Sequence, residues 1–161
     1  MFNLKAEFYL KIIFLFSFIA LISAFFIEYV LGHQPCNLCL IERIPYGLSI
    51  LIIMSIFLIK KNQKFFILLL ILTFTFSFAI SFYHFGIEQG FFQESSVCGV
   101  KSLTESITKE DLLKQLSEKT ISCKDVTFRI FGLSLTSINI VISLLLILTL
   151  TKIFANYEKK R

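Results

Sequence analysis

The sequence predicts an all-α membrane protein, a four-transmembrane-helix bundle with a long outer loop containing a short amphipathic helix. Three observations carry that expectation. Hydrophobic residues fill 56% of the 161 positions and charged residues only 17%, a balance far from that of a soluble domain. Four apolar stretches approach the ~20 residues a helix needs to cross a bilayer core about 30 Å thick. Lys and Arg gather at the two termini and in one short connection, the asymmetry that orients membrane helices.

The first span, residues 12–32, holds one charge, Glu28, near its end. Lys5 and Lys11 ahead of it look like the start of a secretory signal. Its length, the three spans behind it and the lack of a small-x-small cleavage pattern at Ser23 and Ala24 favour an uncleaved anchor instead. A short outer loop, 33–43, leads to the second span, 44–59, which Pro45 can open because proline is tolerated in a helix's first turn. Residues 60–64 connect to the third span, 65–87, and residues 130–151 form the fourth; neither span carries a charge.

The long outer loop is 88–129. Within it Thr108-Lys109-Glu110-Asp111 resembles a capping box with Asp in place of Glu or Gln, and Ile107 and Leu112 take the positions of a hydrophobic staple. A short helix starting there places Leu112, Leu113 and Leu116 on one face, suited to the membrane surface or to the tops of the spans. The segments together are expected to form a single domain over 1–161.

An even number of spans puts both termini on one side, with the 60–64 loop. That side holds Lys5, Lys11, Lys60, Lys61, Lys64, Lys152, Lys159, Lys160 and Arg161 against Glu7 and Glu158 alone. The termini are therefore expected to be cytoplasmic, and the protein to be a multi-pass protein of a bacterial inner membrane. The formal charge of +5 is a topology signal and implies no nucleic-acid partner; the partner it implies is the lipid bilayer. Tyr9, Tyr29, Tyr46, Tyr83 and Tyr157 fall near span ends, where an amphipathic ring suits the interface. The 20 phenylalanines read as packing and lipid-facing surface. No Gly-rich phosphate loop and no Ser/His/Asp set is present.

The chemistry lies in the cysteines. Cys36, Cys39, Cys98 and Cys123 all fall in the two outer loops, on the oxidising side, where disulfides form and persist. Four cysteines allow three pairings, and spacing favours Cys36 with Cys39 and Cys98 with Cys123. For the second pair a stabilising staple is a fair reading. For the first it is weak: two intervening residues close too small a ring to constrain the unfolded chain much, whereas C-x-x-C pairs have lowered thiol pKa and exchange readily. Zinc is a further alternative, but the other two cysteines lack ribbon spacing and the only histidines are His33 and His84. A helix N-terminus aimed at Cys39, with Arg43 a turn further on, would stabilise a thiolate. Arg43 can also be read as an interfacial residue or as a partner of Glu42 or Glu28.

Cys36-Asn37-Leu38-Cys39 before the second of four spans, then Glu42-Arg43, and a cysteine pair in the long loop between spans three and four resemble the disulfide bond formation protein B (DsbB) family across essentially the whole layout. The resemblance implies a membrane thiol:quinone oxidoreductase that reoxidises a periplasmic thioredoxin-fold, DsbA-like oxidant and passes the electrons to ubiquinone or menaquinone of the membrane pool. It implies that the partner attacks Cys98 of a Cys98–Cys123 disulfide, and that Cys123 then attacks Cys36. Cys39 is left as a thiolate beside the quinone, with Arg43 supporting the quinone's developing charge. His84, in Tyr83-His84-Phe85-Gly86, corresponds to a histidine that the family places near the quinone; the alternative is an interfacial histidine bonded to backbone or water. Ile41 stands where the best-known members carry an aromatic residue. Two rivals are a tetraspan scaffold with disulfide-stapled loops, and a quinone reductase of the vitamin K epoxide reductase type, whose C-x-x-C comes late in the bundle rather than early.

Overall fold

A computed structural model describes residues 4–59, 62–94, 98, 122–124, 129–130 and 132–159. The amphipathic helix expected from Thr108 onward lies outside them. The described residues form four long helices, α1 (Leu4–Tyr29), α2 (Asn37–Leu58), α3 (Gln63–Glu88) and α4 (Leu135–Lys159). A two-residue antiparallel pair, β1 (Arg129–Ile130) and β2 (Leu133–Ser134), turns the chain into α4 through Gly132, whose φ of +83° favours glycine. Each of the four helices is long and apolar enough to cross a membrane. The α3 helix packs on α4 and α2, and α2 packs on α1.

The bundle is built inside out relative to a soluble one. Phe8, Leu15, Ile19, Ile22, Phe26, Leu51, Phe76 and Leu145 point outward, a surface that suits lipid and that water would penalise. Serines occupy the interior: Ser49 donates to Ser17 at 2.8 Å and Ser143 to Ser77 at 3.2 Å, tying α2 to α1 and α4 to α3. Small hydroxyl residues let helices approach closely, and each such bond contributes about 0.6 kcal/mol in a membrane setting. Around them an apolar cluster of Leu10, Ile13, Ile53, Ile56, Ile67, Leu70, Phe74 and Leu150 fills one half of the bundle. A second cluster at the other end contains all four cysteines with Leu38 and Ile87.

The start of α2 differs from expectation. The α2 helix begins at Asn37 rather than near Ile44, so Pro45 sits in its interior instead of its first turn. The charged pair Glu42-Arg43 reads as loop in the sequence, but Arg43 finds Glu28 on α1 and Glu42 finds partners on α3 and α4. With both charges answered, the helix runs through them and tolerates the backbone bond that proline removes. The α3 helix ends as its glycines suggest: Phe91 N–H bonds to Gly86 C=O at 2.8 Å and Gly90 N–H to Ile87 C=O at 3.0 Å, with Gly90 at φ +78°. This is the Schellman arrangement.

The same turn folds Phe92 back over Gly86, where its ring stacks on Tyr83 with centroids 5.6 Å apart. A Cβ on Gly86 would come within 2.1 Å of that ring, so Gly86→Ala must displace Phe92 and the start of the outer loop. The expected cost is about 1–3 kcal/mol, measurable as a lowered unfolding midpoint in detergent; a wild-type midpoint would remove this role for the glycine.

Candidate active site

Cys36 is the N-cap residue of α2, with extended backbone, and its Sγ accepts the Cys39 N–H at 3.3 Å. The two-residue spacing makes this geometry, because the helix's first free N–H groups belong to the residues that follow the cap. The helix N-terminus therefore favours a thiolate on Cys36, and not on Cys39 as the sequence suggests, because α2 starts a full turn earlier than expected. The Cys36 and Cys39 sulfurs lie 2.7 Å apart, so closing a disulfide takes only a small side-chain movement. Cys36 is buried, whereas Cys39 is partly exposed.

His84 on α3 reaches across to this pair. It is 2% exposed, with Nε2 3.6 Å from Cys36 Sγ and Nδ1 2.8 Å from Glu42 Oε1. The structure thus brings His84 into the site as a neighbour of the reactive sulfur, where the sequence allowed an interfacial residue bonded to backbone or water. Nδ1 also lies 3.2 Å from Thr136 Oγ1, whose own hydrogen is donated to Glu88 Oε1 at 2.7 Å. With acceptors on both sides, Nδ1 carries a hydrogen, and Nε2 shares the Cys36 proton: it accepts from the thiol and, once protonated, donates to the thiolate. Glu42 is held in turn by Asn139, which donates to its Oε2 at 3.0 Å and to Ser81 at 2.7 Å, while Tyr46 donates to the Asn139 carbonyl. Sulfur, imidazole and carboxylate thus stand in one hydrogen-bonded line, the geometry in which a base can act on a nucleophile while a third group orients it.

The Cys36 thiol is brought below the usual cysteine value by hydrogen bonding from Cys39, by the His84 ring and its charge, and by the Cys39 amide, against the opposing effect of burial. Reduced protein is therefore expected to keep thiolate absorbance at 240 nm well below the pH of about 8.5 at which free cysteine titrates. His84→Ala should move that titration toward alkaline pH by more than about one unit. An unchanged titration would detach the histidine from the sulfur.

Cys36 Sγ, Cys39 Sγ and a His84 nitrogen fall within 4.8 Å of one another, the donor set of a metal site. Tetrahedral zinc with Zn–S of about 2.3 Å holds its sulfurs roughly 3.8 Å apart. The 2.7 Å separation instead fits a pair that bonds to itself.

Cys98 and Cys123 form a disulfide with Cα atoms 5.6 Å apart, both sulfurs buried in the same cluster as Cys36 and Cys39. Glu94 ties the ends of the long loop together by accepting from the Ser122 hydroxyl and the Lys124 amide. Arg43 points the other way, toward α1, paired with Glu28 and lying over the Phe25 ring at 5.3 Å. Arg43 and His84 thus flank the C-x-x-C pair from different sides.

The structural roles of Glu42, Glu88, Thr136 and Asn139 were missed in the sequence. A usable signal existed: a polar residue within membrane depth is costly unless partnered and marks function by default.

A four-span bundle that holds a C-x-x-C pair beside a second, buried disulfide defines a membrane thiol–disulfide oxidoreductase. The family profile described as Disulfide bond formation protein DsbB matches residues 6–153. The chain belongs to that family. It is also 31% identical over 136 residues to an uncharacterized protein of Rickettsia prowazekii (strain Madrid E), the match covering 83% of this chain and 79% of the relative.

Proposed function

We propose that the chain is a protein-dithiol:quinone oxidoreductase of the bacterial inner membrane. It reoxidises a periplasmic thioredoxin-fold, DsbA-like protein and delivers the electrons to the quinone pool, with both termini in the cytoplasm. The observation that carries this reading is the packing of the Cys98–Cys123 disulfide into one cluster with the Cys36/Cys39 pair. Two exchangeable pairs in contact make a relay; two staples would have no need to meet.

The order of exchange follows. A partner thiolate attacks Cys98, Cys123 is released as a thiolate, and Cys123 attacks Cys36 with Cys39 as leaving group. The partner's second thiolate then resolves its bond to Cys98, and the partner leaves oxidised. The freed Cys98 attacks Cys123 to re-form the loop disulfide, and Cys36 and Cys39 are left as the reduced pair. Exposure suits the last step: Cys39 is the half of the pair open to its surroundings, and Leu40 and Ile44 beside it face outward at the lipid boundary. Arg43, with Phe25 alongside, offers a fixed positive charge and apolar contact where a ring entering from lipid would meet Cys39. A quinone bound there would supply the two-electron, two-proton acceptor. A DsbA-type oxidant has a potential near about −120 mV, so the acceptor must lie above that.

The test is quinone absorbance over time, with detergent-purified protein, a short-chain ubiquinone and a reduced periplasmic thioredoxin-fold protein. Rapid loss of oxidised quinone in wild type, and none in Cys36→Ser or Cys98→Ser, is the expected result. Absence of loss with a competent partner would leave a stapled scaffold.

A further inference from the structure

We infer that Glu88 is a proton-relay residue, acting through His84 to carry the Cys36 proton to water on the outer side; this rests on the quinone-reductase reading above. Glu88 ends α3 one turn beyond His84, and its side chain is 5% exposed. Its Oε1 lies 3.9 Å from His84 Nε2, the same nitrogen that faces Cys36 Sγ at 3.6 Å. Its Oε2 is the one buried side-chain polar atom among the described residues that has no partner. A buried carboxyl oxygen without a partner is costly and calls for a reason.

The surroundings supply it. Glu88 lines a cavity of about 530 Å³ between the outer end of α3 and the hairpin that leads into α4, together with Arg129, Ser134 and Ser137. Phe82, Phe85, Leu133 and Ile140 make most of the lining apolar, and Glu88, Arg129 and the two serines form a polar side with room for water and partners for it. The cavity lies on the α3/α4 side, whereas Arg43 faces α1. The groups through which electrons and protons leave the cysteine pair thus point in different directions.

The reaction needs such an outlet. When Cys36 and Cys39 close their S–S bond, two thiols give up two electrons and two protons, and the quinone takes up two of each to become quinol. Proton loss from Cys36 goes to His84 Nε2, which is free to accept because Nδ1 donates its hydrogen to Glu42 and Thr136. The resulting imidazolium passes the Nε2 proton to Glu88 Oε1 across a gap that one water or a small side-chain rotation closes. Thr136 holds that oxygen in place at 2.7 Å, and rotation of the protonated carboxyl carries the proton on toward the cavity that Glu88 lines. Outer-side water balances the proton gained by the quinol.

Among the described residues, the titratable and charged groups facing this path are Cys36, Cys39 and Glu42 from α2, His84 from α3 itself and Arg129 from β1; β2 contributes the Ser134 hydroxyl and α4 those of Thr136 and Ser137.

Glu88→Gln keeps the shape and the acceptor for Thr136 but not the proton transfer. It is assayed with dithiothreitol and a short-chain ubiquinone over pH 5.5–8.5, in water and in deuterium oxide, with and without added formate. The expected result is a rate at least about 10-fold lower, a solvent isotope effect larger than in wild type, and partial recovery with formate, small enough for the cavity. Thr136→Val, which frees Glu88 Oε1, should show a weaker version of the same signature. Wild-type rate and isotope effect in Glu88→Gln overturn the relay alone, as does a slow variant that neither shows a raised isotope effect nor responds to formate. Wild-type protein that consumes no quinone overturns both the relay and the functional reading beneath it.

Discussion

Cys39→Ser is expected to stop quinone reduction, by at least about 10³-fold, the scale on which removal of a reacting nucleophile acts, and to trap the chain with Cys36 joined to Cys123. The two variants of the pair should fail differently. With Cys39 absent, the Cys36 thiolate can still attack Cys123 of the loop disulfide and release Cys98, but no neighbouring thiolate remains to resolve the Cys36–Cys123 bond. With Cys36 absent, Cys123 has lost the sulfur it attacks and no such species forms. Mass spectrometry of acid-trapped protein, before any reduced partner is added, distinguishes the two. A Cys39–Cys123 bond accumulating in Cys36→Ser at the rate of the other would overturn the assignment. The geometry underlies the difference: the Cys36 sulfur sits on the helix N-terminus and against His84, within the cluster that contains Cys123.

Glu42→Leu should damage fold and chemistry together. Glu42 accepts from His84 on one oxygen and from Asn139 on the other, and Asn139 is in turn the acceptor for Tyr46. Removing the carboxylate leaves an imidazole N–H and an amide N–H without their acceptor inside a low-dielectric bundle. Loss of one member of a buried charged network costs about 3–5 kcal/mol, to be read as a lowered unfolding midpoint in detergent. Quinone reduction should fall about 10²-fold or more, because the orienting group fixes which ring nitrogen faces Cys36. Glu42→Gln should be milder in stability, since it keeps one acceptor, yet still slow. A fast and stable Glu42→Leu would mean that the His84 tautomer is set by Thr136 alone.

Much of this architecture was legible in the chain. Each helix overlaps most of one apolar run, because a bilayer of fixed thickness imposes a length that composition must match. The grouping of the cysteines outside those runs, and the two-residue spacing of Cys36 and Cys39, were enough to favour exchange over stapling. The glycines after His84 announced the end of α3, since only a residue at ease with positive φ completes that turn.

The start of α2 was not legible, because Glu42 and Arg43 look like a loop until their partners are known. Those partners, Glu28, His84 and Asn139, come from three other helices. Periodicity tells which face of a helix a residue occupies but not which helix lies against that face. For the same reason Ser17, Ser49, Ser77 and Ser143 read as isolated hydroxyls in apolar runs, and only packing pairs them across the bundle. The four cysteines, Arg43 and His84 were singled out by the sequence alone. Which sulfur receives the helix N-terminus, which base stands over it and where its proton can go were decided by the tertiary structure, because hydrogen bonds act over about 3 Å and only the folded bundle brings residues so distant along the chain that close.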